Sequence, residues 1–490
     1  MSNELKVKKW WWENTAELTK SPQNIVDDHR NWIKQAVVVS AMRSDTFNTT
    51  DKLIELAILL AKKEISTELV KEKISEIKNF HLLLASEKLT FDDSKKIEDL
   101  INNEFDILLD SIISYIEETD KIKPTKKNDY LVNTCYWDMS LLRFWERISS
   151  IILSEVTNLL WIEWLKTRTV FLEVDEKWEY ENFTEECIKY SEKVSDILEK
   201  WEVPIIEWYI DWYLKWIMSK FWKWYSDPNT AKVALWLSKL YEVTIEIQKK
   251  VAGILSTDPE LVKWTNEEAV LIPEIDYLTT KEIIWVRAGQ AKLLHHDFLI
   301  KEIQKAWIKI HLFNPFDNSK WTIISRNKNP NSSWIEFIWW RDNIIVITVS
   351  SGEMKPAWIL ATTFWIVKNY CPVGIVSASE TEVSFTIDDT IDEKDLNEML
   401  DKIKSELSIE DDWYENFVKY DNAHSLISCV WQNLSHKLAT LWRIGEVLWK
   451  WWINIWLVSQ WILERAISFT VNKYQKKDAV VRLHEEFIKE

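Results

Sequence analysis

The sequence predicts an α/β protein with a largely parallel central sheet, followed by two ferredoxin-like βαββαβ modules. Two observations support this fold class. Short apolar strands alternate with helices over the first part of the chain, and one order of strands and helices occurs twice after residue 340. Alternating strands and helices favour a parallel sheet that is covered on both faces. A length of 490 residues also indicates more than one domain.

The first strands are predicted from short apolar runs rich in β-branched residues. Leu5–Lys9 and Gln35–Ser40 are two such runs, and a helix separates them. From Asp51 to about Asp120 the apolar residues follow helical spacing, so we expect a helical insertion at about 51–123. A further helix and four more strands are predicted at Asp138–Trp161, Thr167–Val174, Val203–Ile206, Val243–Ile247 and Ile308–Leu312.

A polar segment that contains Pro, Asn327–Ser333, predicts a domain boundary. The elements predicted behind it are Asn343–Val349, Ala357–Asn369, Gly374–Ser379 and Thr381–Ile387. The same order recurs at Ser425–Val430, Thr440–Trp449, Ile453–Ser459 and Arg465–Val471. We therefore expect domains at 1–326, 334–410 and 420–490. Tandem modules of this plan behind an enzyme domain usually bind small effectors or mediate dimerisation.

Charge and cysteine usage favour a cytoplasmic protein that acts on a small molecule. The formal net charge of -17 disfavours bulk affinity for nucleic acid or an anionic membrane. No apolar stretch reaches the roughly 18 residues of a membrane span, and the first residues lack the apolar core of a secretion signal. The four cysteines are scattered, which indicates neither a disulfide framework nor a zinc site.

The composition has one anomaly, which is 33 Trp beside 5 Gly. The two counts together are close to the ordinary usage of Gly, about 7%. Trp also stands where the backbone needs Gly, as in the triplet Trp10–Trp12 and the pair Trp339–Trp340. We interpret most Trp as positions where the source organism reads a reassigned stop codon as Gly. A protein that is truly rich in Trp is the alternative.

Six short segments match, in order, the motifs of one enzyme family when Trp is read as Gly. The family motifs are K-F-G-G, V-S-A-M with T-T-D-K-L, G-E-R-x-S, G-R-G-G-S-D, G-V-Y-T-A-D-P and A-K-V-L-H. The matching segments are Lys9–Trp12, Val39–Leu53, Trp145–Ser149, Trp222–Asp227, Gly253–Pro259 and Ala291–His295. With the paired modules behind these segments, the chain resembles the aspartate kinase family over nearly its whole length.

The resemblance implies an amino-acid-kinase three-layer sandwich followed by two ACT modules. It implies transfer of the ATP γ-phosphoryl group to the side-chain carboxylate of L-aspartate, the first step of the lysine, threonine and methionine pathway. A carboxylate with a pKa of about 3.9 is ionised at neutral pH and needs no general base. The reaction instead needs fixed cations, backbone amides, and Mg²⁺ held mainly through the phosphates.

The resemblance also assigns residues to the site, with no side chain as a metal ligand. The catalytic residues are Lys9, Lys292 and Asp227. The residues that bind aspartate are Ser40, Thr50, Glu146, Lys223 and Ser226. The residues that bind the nucleotide are Trp11, Trp12, Trp222, Trp224, Lys250, Gly253, Asp258 and Lys292. The residues that bind an effector, lysine or threonine, are Met354, Ser379, Glu380, Asn454, Ile455 and Gln460. We also expect a homodimer formed through the ACT modules.

Three departures from the family pattern leave alternatives open. Lys249–Ala252 replaces T-D-V-D near the nucleotide, Lys223 replaces an Arg, and Gly374 replaces an Asp that is common in the first ACT module. A catalytically weakened homologue that binds amino acids is therefore the second hypothesis. Another amino-acid kinase is disfavoured by the paired modules and the Glu146 helix. Thr50 and Asp51 also fit a plain helix cap.

Overall fold

The structure is a computed structural model in which not every segment is described. It describes residues 4–10, 17–39, 47, 49–62, 66–86, 91–119, 147–158, 165–170, 183–206, 226–248, 253–263, 268–286, 303–314, 317–327, 335–351, 356–409, 417–431, 439–460 and 465–488. The chain divides into two compact units. Unit 1 is Met1–Ala252 with Leu294–Ile323, and unit 2 is Gly253–Leu293 with Ile324–Glu490. The domain limits given above stay predictions.

The strands are numbered in chain order. They are β1 (Glu4–Trp10), β2 (Lys34–Val39), β3 (Thr167–Val170), β4 (Val203–Ile206), β5 (Glu242–Gln248), β6 (Ile254–Leu255), β7 (Leu271–Ile272), β8 (Glu274–Asp276), β9 (Lys309–Asn314), β10 (Asp317–Ser325), β11 (Phe337–Ser350), β12 (Val373–Ala378), β13 (Glu382–Asp388), β14 (Phe417–Val430), β15 (Val458–Gln460) and β16 (Ala466–Asn472).

The helices are numbered in the same way. They are α1 (Glu17–Arg30), α2 (Thr49–Lys62), α3 (Thr67–Ser86), α4 (Phe91–Thr119), α5 (147–158), α6 (Phe183–Glu199), α7 (Ser226–Leu237), α8 (Pro259–Val262), α9 (Tyr277–Val286), α10 (Pro356–Val367), α11 (Glu393–Glu406), α12 (Thr440–Lys450) and α13 (Lys476–Phe487). None of these helices is both long and apolar enough to cross a membrane.

Unit 1 contains the predicted parallel sheet. Its strands run in the order β3-β4-β2-β1-β5-β9, and every neighbouring pair in this order is parallel. The inner strands are apolar and buried, since β4 and all but the first residue of β2 are inaccessible to solvent. The predicted helical insertion forms α2, α3 and α4, whose apolar faces join α1, α5 and the sheet in one core. The predicted α/β fold class is confirmed.

Unit 2 contains one antiparallel sheet that both ACT modules share. Its order is β12-β13-β11-β14-β16-β15. Strand β11 pairs with β14 along both halves, its first half, 337–341, with 426–430 and its second half, 344–350, with 417–424. The second half of β11 also pairs with β13. Strand β14 in turn pairs with β16 through 424–430. Each long strand therefore belongs to both modules.

This sharing differs in one respect from two successive repeats. The second module has β14, α12, β15, β16 and α13 in order, and after β16 the described chain continues only with that last helix. The strand that completes the second module comes instead from the start of β11, far earlier in the sequence. The two modules are therefore connected through continuous strands rather than through a linker alone.

Four Trp residues occupy left-handed backbone positions directly after helices. Trp32, Trp201, Trp307 and Trp452 have φ of 59°, 59°, 60° and 58°. At each, the N–H of the Trp and the next N–H bind carbonyl oxygens of the last helical turn, which is the Schellman pattern. Gly normally takes this position, because a left-handed conformation costs any residue with a Cβ about 1 to 2 kcal/mol.

Many of the Trp side chains are also exposed. Trp442 and Trp449 on α12 are each 74% exposed, and Trp452 behind that helix is 88% exposed. Trp is ordinarily a highly buried residue because its ring carries the largest apolar area of any side chain. Exposure and left-handed geometry both support the hypothesis that Gly is the residue which these positions require.

Candidate functional site

The candidate site lies at the carboxyl ends of the central strands of unit 1. Lys9 is in register with Val38 of β2 and with Ile247 of β5, and Val38 is in register with Ile206 of β4. From β1 the chain continues to β2 on one side, whereas β5 lies on the other side of β1. Open α/β sheets bind ligands at such a switch point, outside the carboxyl ends of the strands.

Several predicted site residues follow these strand ends in sequence. Lys9 is the penultimate residue of β1, and Ser40 directly follows β2. Lys223 precedes α7 in sequence, Ser226 is the first residue of that helix, and Lys250 comes two residues after β5. The predicted residues that lie outside the described part of the chain are Trp11, Trp12, Ser40, Glu146, Trp222, Lys223, Trp224, Lys250, Lys292 and Met354.

Lys9 is 1% exposed, as is its neighbour Lys8. Because successive side chains of a strand point to opposite faces, Lys9 lies on the face of Leu5 and Val7, and Lys8 lies on the other face. Leu5 and Val7 are fully buried. Lys9 is therefore a buried cationic side chain at the carboxyl end of the central strand.

The opposite face of β1 carries a buried charge network. Lys8 Nζ lies 2.6 Å from Asp28 of α1, and Lys6 Nζ lies 3.0 Å from Asp28 and 2.9 Å from Glu246 of β5. Burial opposes ionisation of Glu246, but His311 and the ammonium groups of Lys8 and Lys6 outweigh it and lower the pKa to about 2. Sequence reasoning missed this network, which fixes β1 to α1 and β5.

Helix α7 begins at the predicted residues Ser226 and Asp227 and packs on β1 and β5. A helix that connects parallel strands begins at their carboxyl edge. Its first N–H groups have no partner within the helix and carry a partial positive charge, so they favour a phosphate or a carboxylate. The start of α7 at Ser226 is therefore a candidate position for an anionic group, and the predicted role of Lys223 and Ser226 stays a prediction.

Thr49 is a candidate that sequence reasoning missed. It starts α2, directly before the predicted residue Thr50, and is fully buried. Among the described residues its hydroxyl has no hydrogen-bond partner. Buried hydroxyl groups nearly always have one, and an exception calls for a ligand or a water as the missing partner. The position after β2 places Thr49 on the connection that follows a strand at the switch point.

Two predicted nucleotide residues lie in unit 2. Gly253 has φ of 149°, a backbone conformation that residues other than Gly rarely adopt. Asp258 caps the short helix α8, since its Oδ1 accepts the N–H of Glu260 at 2.8 Å. Between them, Ser256 and Thr257 are fully buried. Within the described ranges, no three His, Cys, Asp or Glu side chains are grouped as metal ligands.

The predicted effector residues lie on two exposed edges of unit 2. Ser379 and Glu380 form the turn between β12 and β13, where the Ser379 N–H donates to Glu382 O at 2.8 Å. Asn454, Ile455 and Gln460 lie in and before β15. The two edges share a buried cluster that contains Ile375 and Leu457. The structure thus connects the two predicted effector segments, which the sequence had treated separately.

Gly374 explains one departure from the family pattern. A Cβ at this position would lie 2.3 Å from Thr386 Oγ1, which is itself the acceptor for the N–H of Ile375. A side chain at this position would require Thr386 Oγ1 to move and would disturb its hydrogen bond with Ile375. Gly374 therefore fits the close approach of β12 and β13.

No model of a known protein family matches the chain. Among solved structures, it is similar to Clostridium acetobutylicum aspartate kinase, with a TM-score of 0.69 and 15% identity over 100% of both chains. It is also similar to E. coli aspartokinase III in complex with aspartate and ADP, with a TM-score of 0.65 and 17% identity over 98% of this chain and 99% of that one.

E. coli aspartokinase III in complex with lysine and aspartate gives a TM-score of 0.67 and 18% identity, over 99% of this chain and 100% of that chain. At these identities the likeness shows the fold. The chain therefore has the fold of these proteins over nearly its whole length, which confirms the predicted fold, a three-layer sandwich followed by two ACT modules.

Proposed function

We propose that the chain is an aspartate kinase that phosphorylates the side-chain carboxylate of L-aspartate with ATP. The observation that carries the proposal is the buried Lys9 at the carboxyl end of the central strand β1, beside the switch point. The ordered motifs and the whole-length likeness to aspartate kinases support it. A cytoplasmic location is also part of the proposal, because the net charge and the scattered cysteines favour it.

The reaction needs little covalent chemistry from the protein. An oxygen of the substrate carboxylate forms a bond to the γ-phosphorus, and the bond from that phosphorus to the β–γ bridging oxygen breaks, which releases ADP. No proton has to be removed, because the carboxylate is already ionised. The protein has to bring two anions together and stabilise the charge of the transferring group. In the proposal Lys9 and Lys292 supply fixed positive charge for that purpose.

The remaining residues bind and orient the substrates. We assign aspartate to Ser40, Thr49, Thr50, Glu146 and Lys223, with the hydroxyl of Thr49 as a donor to a substrate oxygen. The start of α7, with Ser226 and Asp227, faces the transferring phosphoryl group. Gly253 and Asp258 belong to the nucleotide segment of unit 2. A Mg²⁺ ion held mainly through the phosphates of ATP would neutralise part of their charge.

Regulation by an amino acid is part of the proposal. The similar E. coli aspartokinase III was solved in complex with lysine and aspartate, which supports an amino acid as the effector of this chain. Lysine and threonine are the two candidates. We propose that the effector binds at the two edges of unit 2 that carry Ser379 and Asn454. The paired ACT modules also favour a homodimer.

The test is a hydroxylamine-trapped assay of aspartyl phosphate with aspartate, ATP and Mg²⁺. It uses the glycine form, which is the full chain translated with the reassigned codon read as Gly. We expect turnover that depends on aspartate and is not supported by glutamate. The Trp form should show little or none, because indole rings at 11, 12, 222 and 224 fill the phosphate loops. A glycine form that binds lysine or threonine without any turnover would instead favour the weakened homologue.

A further inference from the structure

The segment that the proposed function assigns to the nucleotide is held by the regulatory sheet of the same compact unit. Gly253–Asp258 belongs to unit 2 together with both ACT modules. The central residue of this segment is Ser256, which is fully buried. All of its polar groups have partners, and two of those partners belong to ACT elements. Ser256 is therefore the place where a contact with the regulatory sheet meets the nucleotide segment.

Hydrogen bonds attach Ser256 to the residue before β7 and to β11. Its N–H donates to Val270 O at 2.8 Å, and its Oγ accepts the N–H of Val270 at 2.9 Å, directly before β7. Its carbonyl oxygen accepts the N–H of Ile338 at 2.8 Å. Ile338 belongs to β11, the long strand that both ACT modules share. One end of the shared strand is therefore bonded to the nucleotide segment.

A side chain of the second ACT module makes the remaining contact. His484 of α13 is fully buried, and its Nε2 lies 2.9 Å from Ser256 Oγ within hydrogen-bond distance. Helix α13 also packs against α8, the short helix that Asp258 caps. A buried hydrogen bond contributes about 1 kcal/mol, and leaving one of its groups unsatisfied costs about 1 to 3 kcal/mol. This contact is strong enough to set the local position of the segment.

A second contact fastens the next helix of the same unit. Asp276 is 4% exposed and forms an ion pair with Arg465, between β15 and β16. Its Oδ1 accepts the N–H of Thr279 at 2.9 Å, and Arg465 Nη1 donates to Thr279 Oγ1 at 2.8 Å. This pair holds the first turn of α9. The two contacts are distinct, so each can be removed while the other stays in place.

We propose that His484 is a positioning residue for the nucleotide, which acts through Ser256 on Thr257 and Asp258. The inference rests on the proposed function, because it assigns this segment to ATP. Only one residue separates Ser256 from Asp258, so a shift of Ser256 moves the start of α8 directly. His484 contacts no substrate in this account. Its effect is therefore expected in the KM for ATP and not in the KM for aspartate.

Hydrogen–deuterium exchange of the full chain tests the attachment without catalysis. For His484→Leu we expect exchange in peptides that cover 253–263 to become about five- to twentyfold faster. His484→Gln keeps a group that can hydrogen-bond to Ser256 and should restore most of the protection. The matched control is His424→Leu in β14, since His424 is also buried but pairs with Asp421. It should leave 253–263 unchanged.

Kinetics of the glycine form test the consequence. His484→Leu should raise the KM for ATP about five- to tenfold and change the KM for aspartate and kcat less than twofold. Ser256→Ala removes only the hydroxyl and should act in the same direction, which keeps the test available if the Leu variant does not fold. Equal changes of both KM values, or no difference between the His484 and His424 variants, would overturn the inference.

The two measurements separate this inference from the proposed function. A chain that loses protection at 253–263 in His484→Leu but phosphorylates no aspartate would refute the kinase and keep the attachment. A chain that phosphorylates aspartate, with exchange and KM for ATP unchanged in both His484→Leu and Ser256→Ala, would refute the positioning role and keep the kinase.

Discussion

The two faces of strand β1 place adjacent lysines in different surroundings. On one face, Lys8 Nζ contacts Asp28 at 2.6 Å and the carbonyl oxygen of Asn24 at 2.9 Å. On the other face, Lys9 follows Leu5 and Val7 and ends at the switch point of the sheet. Both lysines are 1% exposed, so burial alone does not distinguish them. The contacts of Lys8 give it a structural role, whereas the proposed function gives Lys9 a role in the site.

The network around Lys8 is nearly neutral as a group. The lysines at 6 and 8 are matched by the carboxylates of Asp28 and Glu246. Burial opposes the charge of Lys6, but Glu246 and Asp28 raise its pKa above the ordinary value. Such a cluster is stable only while it is complete, because one missing partner leaves a buried charge unpaired. The comparison therefore predicts that variants on one face affect stability and variants on the other affect turnover.

The largest expected effect is the loss of Asp28. Asp28→Asn keeps the shape of the side chain but leaves Lys8 without its closest carboxylate, so we expect the free energy of unfolding to fall by about 3 to 5 kcal/mol. Urea denaturation measures this. The control is Asp27→Asn, an exposed neighbour on the same helix, which should change stability by less than about 0.5 kcal/mol. A loss below about 1 kcal/mol for Asp28→Asn would show that the network contributes little.

Whereas Asp28→Asn should reduce stability, Lys9→Met should reduce turnover and leave stability nearly unchanged. The substitution keeps the volume of a buried chain but removes the positive charge, so we expect kcat of the glycine form to fall by about 10²- to 10³-fold. The free energy of unfolding should change by less than about 1 kcal/mol. Lys8→Met should be strongly destabilising. Stability losses of similar size for the two variants, with turnover of Lys9→Met retained, would remove the distinction between the faces.

Acid should weaken the structural face selectively. The pKa of Glu246 is about 2 in the folded chain, against 4.5 for the ordinary group. A lowered pKa stabilises the fold above the unfolded value, and this contribution is lost as pH falls from about 4.5 towards 2. The contribution of this pKa shift to the free energy of unfolding is on the order of 3 kcal/mol. The difference in unfolding free energy between the parent chain and Glu246→Gln should therefore shrink from pH 6 to pH 3. A difference that stays constant would contradict the shift.

Much of the fold could be predicted because its signals are local. Apolar β-branched runs such as Gln35–Val39 and helical spacing such as Leu53, Leu56 and Leu60 act over a few residues, and these elements appear where expected. The sharing of β11 and β14 could not be predicted, because these strands pair residues about 70 to 90 positions apart, and the sequence carries no local signal for their register. The sequence therefore predicts a complete second module, whereas in the structure the start of β11 supplies one of its strands.

The candidate site also contains residues with a local signal in the sequence and residues without one. Lys9, Gly253 and Asp258 could be predicted as site residues because they lie in short motifs that resemble a family, and they stay predictions. Ser256 and His484 are 228 positions apart, and Arg465 and Asp276 are 189 apart, so neither contact has a local signal. Thr49 has no distinguishing signal in the sequence, because Thr is common at the starts of helices as a cap. The charge network did have a signal in the sequence, because Lys6 and Lys8 are two residues apart and therefore lie on the same face of a strand.

The smallest expected effect concerns the end of the helix that carries Asp28. The N–H of Ile33 binds the carbonyl oxygen of Asp28 at 3.0 Å and forces Trp32 into a left-handed conformation. Trp32→Gly should recover about 1 to 2 kcal/mol of strain, but it also loses the edge contact with Trp201 at 5.3 Å, worth about 0.5 to 1.5 kcal/mol.

Trp201 is left-handed as well, so a double variant separates strain from contact. Trp32→Gly with Trp201→Gly relieves both positions and loses their contact only once, so its gain in unfolding free energy should exceed the sum of the single gains. Trp321→Gly, in strand β10, is the control and should destabilise by about 0.5 to 1 kcal/mol. If the double variant is less stable than the parent chain, Trp rather than Gly suits these helix ends, and the hypothesis of a reassigned codon fails with it.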